Sequence, residues 1–347
     1  MRATTRPGPA RTPFCGLIDP VMVNEPVPFP SAGSVSIEAA RAAWVWIIRD
    51  LCPDLISAEG FEGGHFGAAD LEQLLPEILK RAKAELDRHG SDHEARRRFR
   101  AQFGREAALA ELDVILRALR NRALIEKALV FGKAINTISD DAALGTALQS
   151  MPLKDPKLAG MLFHVALGQV ANPTRPIVAV IKQTGASTEA AVVRAGFAPL
   201  IEAYLSHAQN QVYPLQLHGP FPDIDLVCLC LDRFHKLVRA LTGYLEFSRG
   251  SRATQVLSAV TKLVSDRVEP RLKEVVTDLN QAMRRPREGA DRLDNDRLLA
   301  ALNGMYLLAT IRECRDSLAL NAVFDQAWAQ SGQALEIHIQ RNLELIR

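Results

Sequence analysis

The loop at residues 59–67 combines side chains that metal and phosphate sites use. It holds two carboxylates, His65 and four glycines. A phosphate-binding P-loop, however, follows a strand and ends in Gly-Lys-Ser or Gly-Lys-Thr, and neither feature is present. A metal site needs further ligands, and the pattern assigns none. We therefore interpret this loop as a connector between helices.

The remaining histidines and cysteines show no spacing typical of a catalytic or metal-binding motif. His89 and His93 are the only histidines four residues apart, and a predicted helix break lies between them. Cys228 and Cys230 are two residues apart on a predicted helix, so they point to different sides. The sequence therefore predicts no catalytic residue, no metal site and no cofactor.

The most basic stretch of the chain is residues 79–105, where nine Lys or Arg stand against four Asp or Glu. A helix at its centre buries Ala95, Phe99 and Phe103 on one side and presents, on the other, Arg96, Arg97 and Arg100. These arginines could bind phosphates or an acidic partner. Because no exposed aromatic residues are interleaved with them and no DNA-binding motif is present, a solvated face is the preferred interpretation. Nucleic-acid binding is disfavoured.

The helix predicted from residue 223 is apolar around most of its circumference. A narrow polar stripe remains along it, formed by Asp225, Asp232, His235, Lys236 and Arg239. The stripe could be a buried salt-bridged seam, a water-facing strip or a binding site. We expect it to face water or a partner, because it continues for about four helical turns.

The run at residues 235–240 loosely resembles the phosphorylatable helix of histidine phosphotransfer domains, which also lies in a helical bundle. The resemblance implies that His235 would be the phosphorylated residue. That motif has a lysine and a glycine where this chain has Val238 and Arg239. The difference removes the charge and the space that a docking receiver domain needs, so a structural polar seam is preferred.

Composition restricts the class of protein. The 347 residues are 48% hydrophobic and 24% charged, with a formal net charge of +2 and five cysteines. These values are typical of globular proteins and exclude a fibrous, wholly disordered or disulfide-stapled chain. The net charge favours neither nucleic acid nor a membrane surface. No window of about eighteen apolar residues is present, so we expect no membrane span.

The distribution of prolines and apolar periods predicts three parts. Residues 1–33 contain seven of the nineteen prolines and are predicted to be a disordered tail. Residues 34–209 are predicted to form an irregular helical domain, and residues 222–347 an antiparallel bundle of long helices. The predicted fold class is all-α, and whether the two halves are separate domains stays open.

Several local signals predict where helices begin and end. Residues 176–182 are rich in β-branched side chains, but a helix is preferred because no partner strand is evident. Gly90 is predicted to end one helix, and Ser91 with Glu94 to form a capping box for the next. Gly304 and Gly332 are the predicted division points of the last long helix.

Without a catalytic constellation, the preferred hypothesis is a non-enzymatic interaction protein: an adaptor, scaffold or regulatory subunit that binds another protein through helix faces. The alternatives are an all-α enzyme with a pocket between helices, and a secreted effector that uses its tail as an export signal. An exposed apolar patch would favour the interaction protein, and an apolar pocket with converging polar groups would favour the enzyme. A homo-oligomer is possible.

The expected compartment is the cytoplasm of a bacterium. The first residues lack the apolar region of a signal peptide, and their prolines disfavour the helix of a transit peptide. The 32 Arg and 10 Lys, with abundant Ala, are typical of a GC-rich bacterial genome.

Overall fold

The protein is all-α. The computed structural model describes residues 13–23, 33–57, 60, 66–103, 107–212, 215, 223–283 and 295–344. Over these residues the chain is 81% helical, and within them the only sheet is a parallel pair of two-residue strands. These strands, β1 (Met22–Val23) and β2 (Val35–Ser36), precede the longer helices. The predicted fold class is confirmed.

The helices of the first two-thirds of the chain are mostly short. They are α1 (Pro13–Ile18), α2 (Ile37–Trp46), α3 (Ala68–Ser91), α4 (His93–Phe103), α5 (Ala107–Arg120), α6 (Arg122–Ile135), α7 (Asp141–Gln149), α8 (Pro156–Leu167), α9 (Thr174–Thr184), α10 (Glu189–Arg194) and α11 (Ala198–Asn210). A 3-10 turn (Asp19–Val21) follows α1, and a π-helical turn (Ile47–Leu51) continues α2.

The remaining helices are longer. They are α12 (Ile224–Thr242), α13 (Arg252–Ala282), α14 (Asn295–Leu318) and α15 (Asn321–Glu344). No helix in the described parts of the chain is both long and apolar enough to cross a membrane.

Side-chain caps begin several helices. Each capping oxygen accepts a hydrogen bond from a backbone N–H of the first turn, which no carbonyl inside the helix can bond. The capping residues are Ser36, Asp140, Asp155 and Asp223. The segment 176–182 lies within α9, so the prediction of a helix there is confirmed.

The first 33 residues differ from the predicted disordered tail where the structure describes them. Residues 13–23 form α1, the 3-10 turn and β1, and the side chains of Phe14, Ile18 and Val21 are fully buried. The Phe14 ring stacks on Trp44 at a centroid distance of 4.7 Å. These apolar residues recur at a helical spacing that the prolines around them obscure. Residues 1–12 and 24–32 of the predicted tail lie outside the described ranges.

The connection between α3 and α4 corrects the predicted capping box. Helix α3 continues through Gly90 to Ser91, and Asp92 is its C-cap. The N–H of Glu94 then donates to Asp92 Oδ1 at 2.9 Å. Gly90 has an ordinary helical backbone, so α3 does not end there. The cap is therefore one residue later than predicted.

The last long helix is interrupted at a residue that the sequence does not mark. The break lies at Ala319, which has a φ of +53°, and Gly304 and Gly332 both lie inside helices. Gly304 serves close packing instead, since a Cβ there would lie 3.3 Å from a methyl group of Val275. The prediction that glycines divide this segment is therefore wrong.

The chain forms two compact units. Unit 1 comprises Met1–Ala171, Ala179–Gly185 and Val192–Ser206, and unit 2 comprises Asn172–Val178, Ala186–Ala191 and His207–Arg347. Unit 1 has a large apolar core to which α1 to α6 and α8 contribute. Each unit takes more than one segment of the chain. The predicted boundaries at residues 34–209 and 222–347 stay a prediction.

In unit 2, hydrogen bonds and close contacts show how the long helices run. His235 on α12 contacts Ser317 on α14, and Val275 on α13 packs on Gly304 of α14. The Oγ of Ser265 donates to the carbonyl of Leu318, so α13 and α14 are antiparallel. Helix α15 packs against α13 and α14. The finer arrangement of an antiparallel bundle stays a prediction.

Candidate interaction surface

The predicted polar stripe lies on α12 of unit 2. Asp225 and Arg239 are exposed, whereas Asp232 and His235 are partly buried. Asp232 accepts a hydrogen bond from Lys236 Nζ at 2.6 Å, one turn along the same helix. Within the stripe, Asp232 thus bonds to Lys236, and His235 bonds to Ser317 of α14.

His235 is the member of the stripe whose titration the fold changes. Its Nδ1 lies 2.8 Å from Ser317 Oγ. Burial lowers the pKa of His235, and the positive charges of Arg239 and Lys236 lower it further, against the opposing effect of Asp232 and Asp316. The imidazole is therefore held in its neutral form at neutral pH.

The cysteines of α12 and α14 are buried, and their thiolate forms are disfavoured. Burial raises the pKa of Cys228, and it raises the pKa of Cys230 and of Cys314 to about 12. The thiolate is the nucleophilic form, so these environments disfavour reaction. All five cysteines are free thiols.

The predicted arginine cluster lies on α4 of unit 1. Ala95, Phe99 and Phe103 are buried on the opposite side, as the spacing predicts, while the exposed side carries Arg96, Arg97 and Arg100. Within this cluster, Arg96 donates a hydrogen bond to the carbonyl of Gly90 at 3.1 Å. The arrangement stabilises the end of α3, and an anion site at these arginines stays a prediction.

The acidic and histidine-bearing motifs group no metal ligands in the part of the chain that the structure describes. Asp140 caps α7 and Asp141 forms an ion pair with Lys182 at 2.6 Å, so these two carboxylates serve the start of a helix. Most of the glycine-rich loop at 59–67 lies outside the described ranges. Among the residues that the structure does describe, no three His, Cys, Asp or Glu side chains are grouped as metal ligands would be.

The feature that sequence reasoning missed is an exposed apolar surface on the last two helices. Fifteen large hydrophobic residues of the described chain are exposed, and eight of them lie on α14 and α15. Leu302 is 58% exposed, Trp328 44% and Ile339 54%. We use the name α14–α15 face for the apolar surface formed by Leu298, Leu302, Met305, Trp328, Leu335, Ile339 and Leu343.

Contacts between α14 and α15 show that these residues form one surface. The two helices form an antiparallel hairpin, in which Arg315 binds Asp325 at 2.9 Å and the Arg312 guanidinium lies 5.6 Å from the Trp328 ring centroid. Farther from the turn, Met305 of α14 and Leu335 of α15 pack on the same buried cluster. In these three pairs the residue numbers of α14 and α15 sum to 640, and from this pairing we infer that the exposed apolar rows of the two helices adjoin.

The row on α15 has the spacing of a helix that packs against another helix. Its positions are four, three, four and four residues apart: Trp328, Gly332, Leu335, Ile339 and Leu343. Alternating steps of three and four are the heptad pattern of paired helices. A Cβ at Gly332 would have no atom within 4 Å, so the row has open space at its centre. The sequence shows this spacing, but it does not show which side of α15 the neighbouring helices leave exposed.

Comparison with family models, with curated proteins and with solved structures gives no match to this chain. The fold is that of an all-α protein.

Proposed function

We propose that the protein is a non-enzymatic interaction protein, an adaptor, scaffold or regulatory subunit, that binds protein through the α14–α15 face. The observation that carries this proposal is the contiguous exposure of large apolar side chains on two neighbouring helices. Single exposed apolar residues are ordinary, whereas a contiguous patch is typical of a binding surface.

The chemistry of the face supports a protein as its ligand. A tryptophan within the face and arginines at its edge are residue types that contribute most to protein–protein binding. Arg312 lies over the exposed Trp328 ring, and the ion pair of Arg315 with Asp325 continues the polar rim. An apolar centre with a polar rim is the usual anatomy of an interface.

A photo-reactive amino acid tests this proposal in the cell that makes the protein. We would place it at Ile339 in the full chain and, as a matched control, at Val130 of α6, which is 67% exposed and lies in unit 1. We expect irradiation to give a covalent protein adduct from Ile339 and none above background from Val130. Adding Trp328→Glu should abolish the Ile339 adduct. Unchanged helical circular dichroism is the control that this variant is folded.

Equal adduct yields from both positions, or an Ile339 adduct that survives Trp328→Glu in a folded chain, would contradict the proposal. Absence of any adduct at Ile339 would contradict it as well.

A further inference from the structure

We propose that α15 is a hinged flap, which swings away from α13 and α14 about the turn at Ala319 while the rest of unit 2 stays folded. Proteins open locally in cooperative segments, and the segments that open most easily are held by few buried apolar contacts. The hinge, the docked side of α15 and its exposed side each point to this segment.

The turn between α14 and α15 has a backbone conformation that its residue type disfavours. Ala319 has a φ of +53°. Glycine commonly ends helices with such a left-handed backbone, but the same conformation is costly for alanine. The segment from Asn295 to Glu344 contains no proline, and its two glycines, Gly304 and Gly332, lie far from the turn. The turn therefore has no local helix breaker, and undocking of α15 would let Ala319 return to an ordinary conformation.

Tertiary contacts hold the turn in place. The Oγ of Ser265 on α13 donates to the carbonyl of Leu318, and the side chains of Leu318 and Leu320 are buried. Across the turn, Arg315 binds Asp325 at 2.9 Å. These contacts all lie at the hinge end of α15, so they anchor its start and leave its later turns to be held by packing.

The docked side of α15 carries mostly small residues. Beyond Phe324 in the first turn, the buried side chains among its described residues are Ala327, Ser331 and Ala334. The buried residues of α13 are, apart from one alanine, all Val or Leu. Burial of an alanine removes much less apolar area from water than burial of a leucine or valine, so docking of α15 is stabilised less.

The far end of α15 adds few further contacts. Leu335 packs on a small buried cluster, and His338 Nε2 lies 3.2 Å from Asn280 Oδ1 of α13. The large side chains of Ile337 and Ile339 are 41% and 54% exposed while α15 is docked. Docking therefore gains little from the most apolar residues of this helix.

One buried group of α15 opposes docking. Ser331 is 2% exposed, and its Oγ has no hydrogen-bond partner in the part of the chain that the structure describes. Water would hydrogen-bond this hydroxyl in the open flap, so closing removes hydration that the docked state does not replace. The balance between the docked and open states is therefore closer than it is for α13.

Opening of the flap dismantles the α14–α15 face, because both helices contribute residues to it. A change that stabilises the closed flap therefore favours the assembled face, which gives the proposed interaction a means of regulation. The flap itself requires no partner, so its test is independent of the proposed function.

Hydrogen exchange of the purified full chain, resolved by fragment mass spectrometry, tests whether α15 opens as one unit. After correction for intrinsic rates, we expect the amides of α15 to exchange together and about tenfold or more faster than those of α13 and α14. Low urea concentrations should hardly change the rates in α15, since a local opening exposes little surface, whereas they should raise the rates in α13.

Thiol labelling gives an independent measurement. Ala334→Cys places a thiol on the docked side of α15, where Ala334 is 8% exposed. We expect a thiol reagent to modify it about tenfold or more faster than the native thiols. Cys314 is the matched control, because it is buried and faces α12, where it interacts electrostatically with Cys228 and Asp232. It should stay protected while α15 is open.

Substitutions at the exposed Ala319 test the hinge without removing a buried side chain. In the Ala334→Cys chain, Ala319→Gly should slow labelling by about threefold, because glycine adopts a positive φ readily. Ala319→Val should speed it by about fivefold or more, because a β-branched residue disfavours that conformation. Ala329→Gly is the control: Ala329 is also exposed but lies inside α15, where glycine weakens the helix, so labelling should not slow.

Four results would overturn the inference. The first is exchange of α15 at the rates of α13, and the second is exchange that quickens steadily towards Glu344, which is fraying from the far end of the helix. The third is an Ala334→Cys thiol that reacts no faster than Cys314. The fourth is a pair of Ala319 variants that fail to change labelling in opposite directions.

If Ala334→Cys does not fold, hydrogen exchange of the wild-type chain decides. A flap that stays closed, together with an Ile339 photo-adduct, would exclude the flap and leave the proposed function in place.

Discussion

At His235, packing against α14 removes part of the hydration of the imidazole, and the cations of Arg239 and Lys236 disfavour a further positive charge. The ring instead shares a hydrogen bond with Ser317. Because the folded chain holds the pKa below the ordinary value of 6.5, the unfolded chain binds more protons near that pH. The fold is thus coupled to pH at this residue.

We predict that the free energy of unfolding falls as the pH is lowered from 7.5 through 6.5. The sign follows because protonation favours the unfolded state, whose histidine has the higher pKa. Above pH 6.5 the His235 imidazole is mostly neutral in both the folded and the unfolded chain, and its contribution to the pH dependence disappears. Urea titrations between pH 7.5 and 5.5 measure the effect, and His235→Gln should show a shallower dependence. An unchanged pH dependence in that variant would contradict the prediction.

At the scale of elements, α6 and α8 of unit 1 pack closely against each other at Gly132. A Cβ at Gly132 would meet the backbone of Ala166, which cannot rotate away as a side chain can. We predict that Gly132→Ala lowers the free energy of unfolding by about 1–3 kcal/mol, because the two helices must separate. Chemical denaturation measures the change.

The matched control is Gly90→Ala in α3. Gly90 also lies inside a helix, but no atom stands within 4 Å of its added Cβ. This substitution should leave stability unchanged or raise it by up to about 1 kcal/mol, since alanine loses less backbone entropy in a helix. Similar losses at both glycines would refute the packing explanation.

The same elements show how much the sequence predicts. The all-α class, the helix at 174–184 and the caps at Asp140, Asp155 and Asp223 follow from local chemistry, because a capping side chain bonds to its own first turn. The turn at Ala319 does not, since alanine rarely adopts a positive φ and so does not mark the turn in the sequence. The α14–α15 face also depends on tertiary packing, which decides which apolar flank stays uncovered.

At the scale of the whole molecule, α1 is part of the core of unit 1. We predict that Phe14→Ala lowers the free energy of unfolding by about 3–5 kcal/mol, the range for truncating a fully buried aromatic ring. The ring is entirely inaccessible and stacks on Trp44. Val45→Ala, at an exposed position beside Trp44, is the control and should change stability by about 0.5 kcal/mol or less. Thermal and urea unfolding of both variants measure the difference. A loss below about 1 kcal/mol in Phe14→Ala would show that α1 is dispensable.

The division of unit 2 among three chain segments bears on how such a gene can recombine. The chain passes from one unit to the other after residues 171, 178, 185, 191 and 206. A single crossover near residue 207 would exchange most of unit 2 but leave Asn172–Val178 and Ala186–Ala191 with the other parent. The transferred helices would then contact segments that come from the other parent. One of these segments contains Ser187, which bonds to Glu246 of the transferred part. We therefore expect the two units to be inherited together, and shuffled chimaeras with one junction to fold less well than those that carry all three segments.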